Sequence, residues 1–268
     1  MATDARPVSD RAMSFSGPRT TAAPTLRTER RLLRAAGGLL AACDEVGRGA
    51  LGGPVTVGLV LVDAASRSAP AGVRDSKLLS PAAREKLVPR IRRWALGYSV
   101  GHASSDEIDL HGIIGALRLA GHRALVKLPE RPDLVLLDGN HDWFSLPHQV
   151  GLYDDEAPLP DVVPPPVTTL IKADMTCSSV AAASVLAKTE RDAIMVELAT
   201  RFPAYGWEVN KGYATPTHLA ALRRWGPCVE HRESWRLPLR DDALALVGAT
   251  LANAAPLGAA LVGATLDD

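Results

Sequence analysis

Four acidic side chains stand out by where they fall. Asp44 and Glu45 close the apolar run Leu39-Leu40-Ala41-Ala42-Cys43 and precede a glycine-rich turn that carries Arg48. Asp138 closes Leu134-Val135-Leu136-Leu137 just before Gly139, and Asp174 follows the run that begins at Thr168. Carboxylates beside core segments are costly unless a positive charge neutralises them. If the segments are neighbours, four such groups converge in one small volume, and like charges at that spacing require cations. A pair of Mg²⁺ or Mn²⁺ ions about 4 Å apart is the arrangement that oxygen ligands of this kind support in phosphodiester chemistry. Any one of these acids taken alone reads better as a turn residue; it is their shared placement at the ends of apolar runs that points to a site.

The elements that position them follow from patterning. Short apolar, β-branched runs bounded by glycine predict strands, and Leu39 to Val62 predicts a hairpin with Gly47, Arg48 and Gly49 in its turn. Side chains alternate along a strand, so Asp44 and Glu45 reach one site only if the strand stops at Asp44. Further strands are predicted over 98–103, 134–138 and 168–173. Ser80 before Pro81 predicts a helix start, with a helix to about Trp94 that kinks or breaks at Pro89. Ser104 to Glu107 reads as a capping box, followed by an apolar stripe at Leu110, Ile113, Ile114, Leu117, Ala124, Leu125 and Leu128. Helices are also predicted from Ser178 to about Thr200 and from Thr217 to Trp225. Strands alternating with helices give an α/β fold with a mixed sheet. In open α/β sheets ligands gather at the strands' carboxyl ends, which is where the acids fall.

The chain has 268 residues, enough for one large domain or two small ones, and 47% hydrophobic with 22% charged fits a globular protein with a sizeable core. Thirty basic residues balance thirty acidic ones, so a nucleic-acid partner requires a local basic patch rather than a global field. Lys77, Lys172, Lys188 and Lys211 are the candidates. Cys43, Cys177 and Cys228 are far apart and show no CxxC spacing, so neither a disulfide framework nor a zinc site is expected. A reducing, cytoplasmic compartment is the simpler reading, and no apolar run approaches the length of a membrane span. Cys43 reads as a small core residue, and His111, His122 and His141 show no metal-ligand spacing. Residues 1–34 read as a disordered tail, 35–240 as the catalytic domain, 140–166 as a long irregular loop and 241–268 as an apolar extension of undecided structure. Arg27, Arg30, Arg31 and Arg34 could touch a polyanion, although a solvated charge run is the plainer reading.

Gly47-Arg48-Gly49-Ala50-Leu51-Gly52 also matches G-x-G-x-x-G, the dinucleotide-binding fingerprint. That motif requires a helix next. Here Pro54 and the β-branched run to Val62 follow, and Asp44 and Glu45 would repel a pyrophosphate.

Several blocks together resemble the ribonuclease HII family. They are Asp44-Glu45-Val46-Gly47-Arg48-Gly49; Asp75-Ser76-Lys77-Leu78-Leu79-Ser80; Lys172-Ala173-Asp174 leading to Ala181 through Lys188 and Arg191-Asp192; Lys211-Gly212-Tyr213-Ala214-Thr215 with His218; and Gly226-Pro227 with His231-Arg232. The resemblance implies an RNase H-like five-stranded mixed sheet flanked by helices, with a small helical C-terminal part. It implies a metal-dependent endoribonuclease that cuts the RNA strand of RNA–DNA hybrids. It further implies cutting on the 5′ side of single ribonucleotides in duplex DNA, leaving 5′-phosphate and 3′-hydroxyl ends. By resemblance, Asp44, Glu45, Asp138 and Asp174 are the catalytic and metal-binding acids, with two Mg²⁺ or Mn²⁺ ions as cofactors. Gly47, Arg48 and Gly49 match the motif that reads the ribose 2′-hydroxyl through its backbone, Tyr213 matches a junction-sensing tyrosine, and Lys77 a lysine near the phosphates. Lys188 and Lys211 complete the expected nucleic-acid contacts. The partners expected are hybrid and ribonucleotide-containing duplexes, with the protein a monomer. The chain departs from the family in having Leu110-His111-Gly112 after Glu107-Ile108-Asp109, where an asparagine is frequent. A non-catalytic hybrid-binding module is the other class to weigh, but such a module would gain by losing the acids.

Overall fold

The computed structural model describes residues 23–146 and 159–239. Residues 1–22, residues 147–158 of the 140–166 loop, residue 240 and the 241–268 extension lie outside the described residues. Five strands form one mixed sheet: β1 (Leu40–Val46), β2 (Val55–Val62), β3 (Gly97–Ala103), β4 (Leu134–Asp138) and β5 (Val167–Leu170), in the order β3-β2-β1-β4-β5. The β1–β2 hairpin and β3 are antiparallel neighbours, whereas β4 and β5 add in parallel. The carboxyl ends of β1 and β4 therefore lie side by side, with Cys43 opposite Leu137.

Seven helical segments surround the sheet: α1 (Arg27–Ala36), α2 (Pro81–Trp94), α3 (Ser105–Val126), the single turn α4 (Ala173–Thr176), α5 (Ser178–Arg201), the short α6 (Trp207–Asn210) and α7 (Pro216–Trp225). Leu40, Ala42, Leu134 and Leu136 join one core with residues of α2 and α5, while Ala41, Cys43, Val135 and Leu137 join the opposite core with residues of α3. The alternation places Asp44 and Asp138 on the α5 face by parity. α5 can approach closely because its first half is small and because β2 has Gly58, where a Cβ would sit 2.6 Å from the Ala183 carbonyl oxygen. A third, smaller core of Met195, Leu198, Tyr205, Trp207 and Leu222 seats α6 and α7 against the end of α5. That is the helical C-terminal part.

The caps form as the sequence predicts. The Ser80 side chain accepts from the Ala83 N–H, and Ser104 and Glu107 make a reciprocal capping box. Four expectations are corrected. The tail expected over 1–34 does not include 27–34, because Glu29 and Leu33 are buried and pin Arg27–Ala36 as a helix. α2 continues through Pro89 to Trp94. The stripe on α3 is interrupted, since Gly112 takes φ 67° and Leu110 stays exposed. β5 ends at Leu170, and Asp174 stands in the helical turn α4, entered through a left-handed Lys172, rather than at a strand end.

Candidate active site

Asp44 is the fifth residue of β1, Asp138 ends β4 and Asp174 lies in the first turn of α4. One carboxylate oxygen from each lies within 4.8 Å of the other two. α4 is locked onto β4 by the Ala173 N–H, which donates to Asp138 Oδ1 at 2.7 Å. Burial pushes the Asp44 carboxyl well above the usual carboxylate range, with repulsion from Glu45 and Asp138 adding to it, against smaller opposing pulls from Ser184 and Lys77. Burial and then Asp138 and Asp75 likewise raise Asp174. Lys77 is the cation at hand, its Nζ 3.6 Å from Asp174 and 3.9 Å from Asp75. Desolvation opposes its charge, but Asp75, Asp44, Asp174 and Asp138 outweigh that and raise its pKa. One mobile ammonium does not neutralise three crowded carboxylates. All-oxygen donors at this spacing suit hard divalent cations such as Mg²⁺ or Mn²⁺.

Glu45 is placed differently from the expectation. β1 does not stop at Asp44: it runs to Val46, with Glu45 opposite Val57. Glu45 is therefore on the other face by parity and is not one of the three converging acids. It stands 3.5 Å from Arg48 Nη1, and burial raises its pKa, Arg48 pulling it back and Asp138 adding to the rise. It thus borders the acid cluster and connects it electrostatically to the turn.

The turn itself is built from beneath. Two fully buried arginines donate to main-chain carbonyls. Arg232 reaches Gly47 O (2.6 Å), Arg48 O (2.9 Å) and Gly53 O (3.1 Å). Arg191 of α5 reaches Pro54 O (2.8 Å), Lys211 O (3.0 Å) and Gly52 O (3.2 Å). Gly47 has φ 85°, and a Cβ there would lie 2.0 Å from Arg191 Nε; Gly49 is exposed, and a Cβ there would meet no atom within 4 Å. Gly212 of the Tyr213 loop accepts from Leu51 N–H at 2.8 Å. The half-buried Tyr213 ring lies beside Lys188 (5.6 Å) and Arg191 (5.5 Å).

The same loop rests on a hydrogen-bonded chain. The Tyr213 carbonyl lies 2.9 Å from His218 Nδ1, and His218 Nε2 lies 3.2 Å from Trp207 Nε1 and 3.1 Å from His231 Nε2. A carbonyl only accepts and an indole N–H only donates, so His218 carries its proton on Nδ1 and its Nε2 accepts from the Trp207 N–H. Two of the expected phosphate lysines are already engaged. Lys188 Nζ is 2.7 Å from Asp192, which Arg84 also pairs at 3.1 Å, and Lys211 Nζ donates to the Glu208 carbonyl. Lys77 alone of the three is largely exposed, 73% of its side chain. Cys43 is buried core, and His122 is buried with Nε2 at the Phe144 carbonyl.

A five-stranded mixed sheet with three acids at the adjoining ends of β1 and β4 and in the turn after β5 defines a ribonuclease H-type hydrolase. Its comparison with solved structures agrees: the ribonuclease H2 of Pyrococcus horikoshii OT3 aligns with a TM-score of 0.57 at 25% identity, over 75% of this chain and 95% of that one. The chain belongs to the ribonuclease HII family, whose model matches residues 41–237. It is 45% identical over 214 residues to the ribonuclease HII of Streptomyces coelicolor, covering 79% of this chain and 84% of that protein. It is 41% identical over 206 residues to that of Thermus thermophilus, covering 75% and 90%. A structure described as the PCNA:RNase HII complex from Archaeoglobus fulgidus aligns with a TM-score of 0.53 at 26% identity, over 74% of this chain and 93% of that one. Among the described residues no helix is long and apolar enough to cross a membrane.

Proposed function

We propose that this ribonuclease H cuts hybrids and also cuts on the 5′ side of a single ribonucleotide embedded in duplex DNA, leaving a 5′-phosphate on the ribonucleotide and a free 3′-hydroxyl upstream. The observation that carries this is the adjacency of the acid cluster of Asp44, Asp138 and Asp174 to the Gly47-Arg48-Gly49 turn, through Asp44 and Glu45. Asp44, Asp138 and Asp174, bordered by Glu45, would hold two Mg²⁺ or Mn²⁺ ions. Such ions, when bound, supply an activated water and neutralise charge developing on the phosphate. Asp138 and Asp174 are positioned together by the Ala173 N–H, so their oxygens are set before any ligand arrives. Lys77 contributes a positive charge beside a scissile phosphate.

Recognition of the sugar falls to the turn. Arg232 occupies the carbonyls of Gly47 and Arg48, so the reading of a 2′-hydroxyl falls to the turn's amide N–H groups. The open space at Gly49 lets a ribose approach the main chain. Tyr213 presents a ring for the adjoining sugar or base to stack on. The working unit is a monomer acting on hybrid and ribonucleotide-containing duplexes. The test is the full chain with Mg²⁺ or Mn²⁺ on a DNA duplex containing one ribonucleotide. A single cut on its 5′ side, abolished by 2′-deoxy substitution at that nucleotide, is expected. Cleavage that survives the substitution contradicts the reading.

A further inference from the structure

α1 turns its basic residues to a cavity that the cleavage chemistry does not use. Arg27, Arg30 and Arg34 line a space of about 570 Å³ between α1 and the segment from Ser68 to Val73, with Ser178 at one end. No aspartate or glutamate lines it, and among the described residues none of the three arginines forms an ion pair. The single acid of α1, Glu29, is directed elsewhere. It is fully buried, its Oε1 accepts from the Ser179 N–H (3.0 Å) and hydroxyl (2.7 Å), and burial raises its pKa against the pull of these bonds and of Arg30. Arg30 is braced across the cavity by its bond to Ser66 O at 2.9 Å. The face is thus positive and preformed, and among the described residues no carboxylate lines it.

One end of each wall leads toward the acid cluster, while Arg30 holds Ser66 beyond Val62, at the amino end of β1. On one side, Thr25 pairs with the strand-like end of α4: its N–H donates to Thr176 O at 3.1 Å and its carbonyl accepts from Ser178 N–H at 3.2 Å. Thr176 closes the turn that carries Asp174. On the other side, Val73 runs within two residues to Asp75-Ser76-Lys77, and Lys77 touches Asp174. Arg27 and Arg34 are about 10 Å apart along a helix that rises 1.5 Å per residue, about the axial length of three nucleotides of a duplex at 3.4 Å each.

We infer that Arg27, Arg30 and Arg34 form a phosphate-binding wall for one strand of the substrate nucleic acid, flanking the position where that strand is cut. This rests on the reading of the acid cluster as the cleavage site. The ligand is the phosphodiester backbone, gripped without regard to base. The wall supplies a local basic patch that a chain of zero net charge needs and that Lys188 and Lys211, already engaged, supply poorly.

The test is binding of the full chain to an RNA–DNA hybrid, without divalent metal, across a range of salt. Arg27 and Arg34 are exposed, so Arg27→Gln/Arg34→Gln should keep the melting temperature of the parent. Each phosphate contact contributes about 0.9 to the slope of log K against log salt. The double variant should therefore lose roughly 2 from the slope, each single variant about half of that, and affinity at low salt should fall at least tenfold. Slopes that coincide with the parent's while the parent binds and cuts hybrid overturn the inference. A parent that neither binds nor cuts hybrid overturns instead the reading it rests on.

Discussion

Gly47 lies directly against Arg191: a Cβ at Gly47 would fall 2.0 Å from Arg191 Nε, and the same guanidinium sits 5.5 Å from the Tyr213 ring. One buried side chain from α5 therefore supports both the Gly47 turn and the Tyr213 loop. Arg191 is fully buried and all three of its hydrogen-bond acceptors are main-chain carbonyls.

The two glycines of the turn should then behave oppositely. Gly47→Ala combines a left-handed φ with a steric conflict at Arg191 and should cost roughly 1–3 kcal/mol of stability. Gly49→Leu projects into open space, so its melting temperature should stay at the parent value while cleavage at a ribonucleotide falls. Thermal melts beside the activity assay decide it. Full activity of Gly49→Leu would remove this turn from sugar recognition.

Tyr213 should matter more for an isolated ribonucleotide than for a continuous hybrid, where neighbouring nucleotides offer other contacts. Base–aromatic stacking of about 1–3 kcal/mol converts to roughly a five- to 150-fold loss for Tyr213→Ala on the embedded substrate. The ratio of the two activities is the readout. Equal losses on both substrates would reduce Tyr213 to a general binding residue.

The sequence discloses the sheet far better than the scaffolding of the site. The hairpin from Leu40 to Val62 and the acids Asp44 and Asp138 follow from apolar runs that end in carboxylates. Asp174 follows a strand that stops at Leu170, so it joins Asp44 and Asp138 from the turn α4 rather than from a strand end. Glu45 joins the acid cluster's edge only, because β1 continues past Asp44. α1 is hidden by its arginines, since only Glu29 and Leu33 mark its buried face. Arg191 did leave a signal: it occupies the stripe Ser184, Ala187, Met195 and Leu198, where a charged residue at an apolar phase implies buried carbonyl partners. Arg232 and the His218–His231 pair stand in blocks that carry the family resemblance, but patterning does not show their roles, because they meet the turn and the Tyr213 loop from far along the chain.

The histidine pair sets a pH dependence. Burial, then the neighbouring His218, draws His231 from 6.5 down to about 4, against the bond to the Cys228 backbone. A histidine depressed in the folded chain is protonated first in the unfolded one. Stability is thus fully present above pH 6.5 and is lost as pH falls toward about 4. The loss by pH 4.5 should be on the order of 2 kcal/mol. Urea melts at pH 7 and 4.5 should show a smaller difference in His231→Gln than in the parent. An unchanged difference would mean that the pair is not what titrates.

The claim that the acids of β1, β4 and α4 perform the cleavage is tested most directly by the turnover of Asp138→Asn on an RNA–DNA hybrid, with binding measured in parallel. Asparagine keeps an oxygen for the Ala173 N–H, so the fold should survive. It removes one anionic ligand, so Mg²⁺ or Mn²⁺ should raise the melting temperature of the parent and not of the variant. Turnover should fall on the order of a thousandfold, about 4 kcal/mol in the barrier, while hybrid affinity stays near that of the parent. Undiminished turnover by Asp138→Asn would contradict the account.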